Sequence, residues 1–114
     1  MSALDLNLIR EILEKDRTRL IYDIQAENEK LNIYAEVNPD PYDLADKSFQ
    51  QRITVERLRY MKRKLKQVES ALKRIKENTY GICVKCGKAI NPERLMAMPY
   101  ATFCMTCKKR QERV

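Results

Sequence analysis

Residues 58–76 read LRYMKRKLKQVESALKRIK, and their spacing decides what the chain can build. Leu58, Met61, Leu65, Val68, Leu72 and Ile75 follow one another at steps of three, four, three, four and three, the apolar seam of a heptad pattern. Lysine and arginine fill most of the positions between them. Neither proline nor glycine occurs from 42 to 80, so a single helix is expected from about 42 to 78, with Asn78 and Gly81 as its stop.

Such a seam cannot bury itself and needs a partner. Upstream, Leu6, Ile9, Leu13, Leu20, Ile24, Leu31 and Tyr34 form a looser stripe, with polar gaps near Asp16 and Glu27 and no proline before Pro39. A helix over about 3–36 would be roughly 50 Å long at 1.5 Å per residue. The turn between the two helices, at 37–41, is short, which favours antiparallel neighbours. Charge points the same way. Residues 1–47 hold 6 Lys+Arg against 11 Asp+Glu, a net of −5, and residues 48–114 hold 17 against 5, a net of +12. An acidic helix laid on a basic one favours the correct pairing, although each exposed pair adds only ~0.3 kcal/mol. The rival arrangement is a parallel dimer through 58–75. The expected fold is mainly α: a long antiparallel helical hairpin, a coiled coil, over 1–78, then a small four-cysteine lobe over 79–114 ending in a short helix.

Composition narrows the function. The chain has 114 residues, 34% charged and 7% aromatic, enough for one domain or two small pieces but not for a large core. No apolar run approaches 18 residues, so no membrane span is expected, and the charged start MSALDLNLIREILEKD does not read as a secretory signal. These features favour a cytoplasmic protein. Histidine is absent. That removes the commonest general base and every Ser-His or Cys-His nucleophile pair, so an enzyme is not expected.

Between the helices stands NPDPYDLAD, residues 38–46. Pro39 and Pro41 disfavour helix at Asn38 and Asp40. Asp40 before Pro41 has the form of an N-cap and first helical residue, and Asp43 in the first turn would complement the helix dipole. This plain reading explains each acid singly. It does not explain the total: Glu36, Asp40, Asp43 and Asp46 place four negative charges with no basic residue before Lys47. Exposed acids concentrated at a turn suit a contact surface.

Residues 80–107 read YGICVKCGKAINPERLMAMPYATFCMTC, a C-x-x-C, seventeen residues, and a second C-x-x-C. Cys83, Cys86, Cys104 and Cys107 have the spacing of a tetrahedral zinc site. Gly87 permits the bend that such a turn needs. Two disulfides would suit an exported protein, and a redox C-x-x-C would open a helix in a βαβ unit, which the pattern lacks. Four thiolates close the site, so one zinc ion would be structural and would bring the net charge to about +5. Tyr80, Ile82, Ile90, Leu95, Met98 and Phe103 are the expected lobe core, too few to fold it without metal. Met96 and Met98 read more readily as core than as a binding surface. MTCKKRQER, 105–113, reads as a short basic helix.

Two linked motifs carry a family resemblance. D-P-Y-D-L-A at Asp40 to Ala45 is similar to the D-x-x-D-x-A of the DksA/TraR family of bacterial transcription regulators. G-x-C-x-x-C-G at Gly81 to Gly87, R-L-x-A-x-P at Arg94 to Pro99 and the final C-x-x-C resemble that family's zinc finger, and the resemblance runs over about residues 5–112. It implies a monomer that binds RNA polymerase and inserts the hairpin tip into the secondary channel, modulating promoter open complexes without sequence-specific DNA binding. Asp40, Asp43 and Ala45 would be the tip residues near the polymerase active centre. Members that respond to guanosine tetraphosphate in the stringent response use basic residues where this chain has Tyr60, Gln67 and Met98; Lys108 is retained. That departure counts against the nucleotide as a ligand. Two other functions fit parts of the pattern: a transcript-cleavage accessory holding magnesium on Asp40 and Asp43, and a basic nucleic-acid-binding zinc module. A zinc-stapled coiled-coil adaptor would explain the seam and cysteines but not the tip.

Overall fold

The computed structural model describes residues 5–36 and 44–112, with side chains given for 5–33 and 49–111. Among the described residues four helices follow in order: α1, Leu6–Glu36; α2, Leu44–Lys76; α3, Pro92–Ala97; and α4, Met105–Glu112. Among the described residues the only β pairing is an isolated antiparallel bridge between Ile82 and Ala89. The acidic stretch at 37–43, with Asp40 and Asp43, lies outside the described residues; Ala45 falls in the first turn of α2.

The ends of the two long helices follow from local chemistry. Asp5 caps α1: its Oδ1 accepts from the Leu8 amide at 3.1 Å, and its carbonyl accepts from Ile9 at 3.1 Å. At the end of α2, Asn78 takes φ 63°, so the chain reverses in the left-handed region. The Thr79 amide donates to the Arg74 carbonyl at 2.9 Å and the Asn78 amide to that of Ile75 at 3.3 Å, the two bonds of a Schellman turn. Asn78 is therefore the stop, and Gly81, φ 81°, serves the next bend. A β-branched side chain is strained at a positive φ. Asn78→Val is expected to cost about 1–2 kcal/mol, measured by denaturant unfolding of the zinc-loaded protein.

The chain divides into two compact units. In the first, residues 1–16 and 67–114, the start of α1 and the end of α2 share a core. Ile9, Leu13, Val68 and Ala71 are fully buried there, with Ile75 nearly so. In the second, residues 17–66, the end of α1 runs with the start of α2. Among its described side chains the buried ones are Ile24, Thr54 and Leu58. The pairing of opposite helix ends in each unit is the antiparallel hairpin that the seam predicts. Each fully buried Ile, Leu or Val contributes roughly 1.5–3 kcal/mol of transfer free energy.

Two positions of the predicted stripes behave otherwise. Leu6, in the first turn of α1, remains exposed. Glu27 falls in a predicted gap and is half-buried: its Oε1 lies 3.2 Å from Lys30 Nζ and 3.8 Å from Arg57 Nη1, the latter crossing from α1 to α2. Arg57 is largely exposed, so this pair adds at most about 1 kcal/mol and serves register more than stability.

Candidate metal centre

The first C-x-x-C sits in a knuckle. The Cys83 amide donates to the Lys88 carbonyl at 2.8 Å, the Ile90 amide to Gly81 at 2.8 Å, and the Gly87 amide back to Cys83 at 2.9 Å. Gly87 has φ 76°, a conformation that a side chain would strain even though nothing lies within 4 Å of where a Cβ would stand. The Val84 amide donates to Thr102 at 2.9 Å and so ties the knuckle to the segment before the second pair. That second pair opens a helix. Cys104 precedes α4, its carbonyl accepting from the Lys108 amide at 2.9 Å, and Cys107 lies in the first turn.

This backbone brings the sulfurs of Cys83, Cys86, Cys104 and Cys107 within 4.8 Å of one another. Zinc–sulfur bonds of about 2.3 Å in a tetrahedron put neighbouring sulfurs about 3.8 Å apart. Cys86 Sγ and Cys104 Sγ are 3.8 Å apart. Cys83 and Cys107 are buried, Cys104 is half-buried and Cys86 is exposed. Four soft donors at this spacing fit one zinc ion in a closed structural site. Without metal the thiols share their protons unequally. Backbone hydrogen bonding, from Cys104 first and Cys86 next, pulls the Cys83 thiol down to about 6. Hydrogen bonding to the Cys104 sulfur, reinforced by burial, pushes Cys107 up to about 12. Lys85 and Arg110 line a recess with Cys86 and Cys107, two cations beside what becomes a doubly negative cluster. Neither cation was singled out by motif reading, which weighs ligands and not their counter-charges.

The rest of the lobe holds the two cysteine pairs together. Asn91 caps α3, its side chain accepting from the Glu93 amide at 2.9 Å, with Pro92 at the first helical position. Leu95 is fully buried, Ile90 and Tyr80 nearly so, and Ala101 joins them. Met98 and Phe103 are half-buried and Met96 is exposed. Ile82, expected in the core, is 42% exposed. Its bridge to Ala89 imposes strand alternation, so buried Gly81 and Cys83 flank an outward Ile82. Arg94 reaches across to Met105, its Nη1 2.8 Å from the sulfur.

Tyr80 closes the lobe by donating its hydroxyl to the Pro99 carbonyl at 2.6 Å. Burial pushes its phenol up to about 12, with Arg74 nearby acting the other way. A phenol raised from 10 in the folded state contributes stability that is complete below pH 10 and is lost as pH rises through about 12. Tyr80→Phe is expected to cost about 1 kcal/mol at pH 7. It is also expected to remove this part of the decline above pH 10, as unfolding curves at pH 7 and 11 will show.

The residues that correspond to nucleotide contacts in the resemblance divide between the units. Gln67, Met98 and Lys108 line one recess of about 270 Å³ with Arg94, Tyr100 and Phe103. Tyr60 belongs to residues 17–66.

Residues 78–113 match the prokaryotic dksA/traR C4-type zinc finger family. An uncharacterised protein of Aquifex aeolicus is 41% identical over 49 residues, 43% of this chain, which spans only about a third (34%) of that relative. The RNA polymerase-binding transcription factor DksA of Buchnera aphidicola is 32% identical over 106 residues, covering 90% of this chain and 68% of that protein. The structure of transcription factor DksA2 from Pseudomonas aeruginosa matches with a TM-score of 0.84 at 30% identity, over 94% of this chain and 82% of that one. A helical hairpin joined to a four-cysteine zinc finger defines a class of DksA-type proteins. The chain belongs to the DksA/TraR family.

Proposed function

We propose that this protein binds RNA polymerase and regulates transcription by placing its hairpin tip, residues 38–46, in the secondary channel, where it modulates promoter open complexes. The observation that carries the reading is the shared architecture: two long helices and a four-cysteine lobe match a DksA-type factor over 94% of the chain. The relatives' names supply the partner. In this reading residues 1–78 are the probe and 79–114 the holder, with Cys83, Cys86, Cys104 and Cys107 as the zinc ligands. Asp40 and Asp43 are the carboxylates delivered to a centre rich in magnesium, basic side chains and phosphates, and Ala45 is the small residue beside them. No helix is long and apolar enough to cross a membrane among the described residues, and the proposed site of action is the cytoplasm. Guanosine tetraphosphate is not part of the proposal, because Gln67 and Met98 are neutral where the resemblance expects basic residues.

Co-purification with core RNA polymerase, followed by photocrosslinking from position 43, tests both parts. The expected result is a stoichiometric complex with crosslinks to the largest subunits around the active centre. A protein that fails to bind polymerase, or that binds and crosslinks only to surface segments, rules the proposal out.

A further inference from the structure

The four cysteines are not equally enclosed. Cys83 is 1% exposed and Cys107 7%, Cys104 is half-buried, and Cys86 is exposed. Cys86 and Cys107 border one recess of about 630 Å³, and Lys85, Arg110 and Gln111 complete its lining. Two cations and an amide therefore face it, and no carboxylate does. Lys85 stands between the cysteines of the first pair and Arg110 lies on α4, so each half of the cluster supplies one cation. Both cations are exposed, as is Gln111. A zinc ion held at about 2.3 Å from four sulfurs fills only a small part of such a space. The rest is room for a small molecule beside the one ligand that faces solvent.

The charges on this face indicate which molecule it takes. Four thiolates around one divalent ion are doubly negative, and such a cluster repels the anionic small molecules that bind zinc through carboxylates. Lys85 and Arg110 cancel those two charges at the mouth of the recess. Within a Debye length, about 10 Å at 0.1 M salt, an anion is drawn toward this side of the cluster instead of being turned away. Cys86 is the ligand it meets there. We propose that the recess is the exchange face of the metal centre: it seats a small polycarboxylate zinc chelator, Lys85 and Arg110 hold the carboxylates, and Cys86 is the first ligand to let go and the last to close. The exchange is a substitution with no change of oxidation state. Cys86 leaves as a thiolate and takes a proton from water, while a donor atom of the chelator takes its coordination place.

Zinc release from the loaded full chain tests this without polymerase, with EDTA as the polycarboxylate and TPEN, an uncharged pyridine chelator, as the neutral probe. In the parent, the EDTA-driven rate is expected to rise with EDTA concentration and to fall as salt is added, and the TPEN-driven rate is expected to ignore salt. Lys85→Gln with Arg110→Gln is expected to slow EDTA-driven release at least about fivefold at low ionic strength and to leave TPEN-driven release no slower. Lys62→Gln with Arg63→Gln makes the same charge change at exposed positions of α2 and is expected to leave both rates in place. Quenching the parent with N-ethylmaleimide early in EDTA-driven release, followed by peptide mass spectrometry, is expected to find Cys86 labelled ahead of Cys83, Cys104 and Cys107. That order is read on the parent, so it decides the matter even where a variant loads poorly. The proposal is overturned by a release rate independent of EDTA concentration, or by another cysteine labelled first. It is equally overturned if the Lys85 and Arg110 substitutions speed release by both chelators, because the cations would then only steady the cluster.

Discussion

Stripping the zinc, or replacing Cys104 by serine, is expected to unfold the lobe. The lobe's own buried apolar residues are Tyr80, Ile90, Leu95 and Ala101, with Cys83 and Cys107 filling the remaining interior. So small a core does not repay the ordering of some thirty-five residues, each costing about 1.5 kcal/mol. Structural zinc in small fingers supplies apparent binding free energies of about 10–16 kcal/mol. Losing one of four ligands should therefore cost several kcal/mol, enough to abolish a cooperative transition for the lobe. The loss should travel further. Ile9, Leu13, Val68 and Ile75 lie in the same compact unit as the lobe, so the first turns of α1 and the last turns of α2 should lose amide protection with it. Hydrogen exchange before and after chelation measures both effects. Unchanged protection at Leu95 and Ile9 would show that the metal is not structural. Loading should also release protons at pH 7, because Cys107, pushed up to about 12, keeps its proton until the metal displaces it. Affinity should fall as pH falls and the thiols reprotonate, with Cys83 the last to do so.

Asp43→Asn is expected to abolish the effect on transcription while leaving the fold intact. If Asp43 served only the dipole of α2, its neutralisation would cost less than about 1 kcal/mol and leave regulation untouched. If it is the carboxylate presented to the polymerase centre, removing its charge from a water-poor, strongly cationic site should cost about 2–5 kcal/mol of coupling. That corresponds to at least about thirtyfold more protein for half-maximal effect on a sensitive promoter. Multi-round transcription with a ribosomal promoter reads the effect, and a polymerase-binding assay run in parallel separates loss of action from loss of docking. A variant as active as the parent would remove the tip from the mechanism.

Much of this was legible in the residues because it rests on strong local signals. The seam from Leu58 to Ile75 fixed the long second helix, Asn78 its end, and the paired C-x-x-C motifs the metal cluster. Other features depend on signals that are short or tertiary. Helix α3 is only six residues long, too short for periodicity, yet the Asn91–Pro92 pair carries a cap signature that would have revealed it. Ile82 was expected inside because it is large and apolar; its outward direction comes from a single bridge to Ala89 that no pattern encodes. Leu6 continues the stripe of α1 yet stays exposed, because burial depends on a neighbour and not on periodicity alone. The exposure of Phe49 and Tyr60 on α2 was not legible either, because their helical spacing is interrupted by charge and the heptad seam is the stronger signal.

The core that joins Ile9 and Leu13 to Val68, Ala71 and Ile75 has a consequence for biosynthesis. Its first half leaves the ribosome more than fifty residues before its second. Until then the nascent chain displays an amphipathic helix with nothing to cover it, so chaperone demand should be greatest midway through translation. Maturation would then finish with a single late event, metal capture and closure of both ends together.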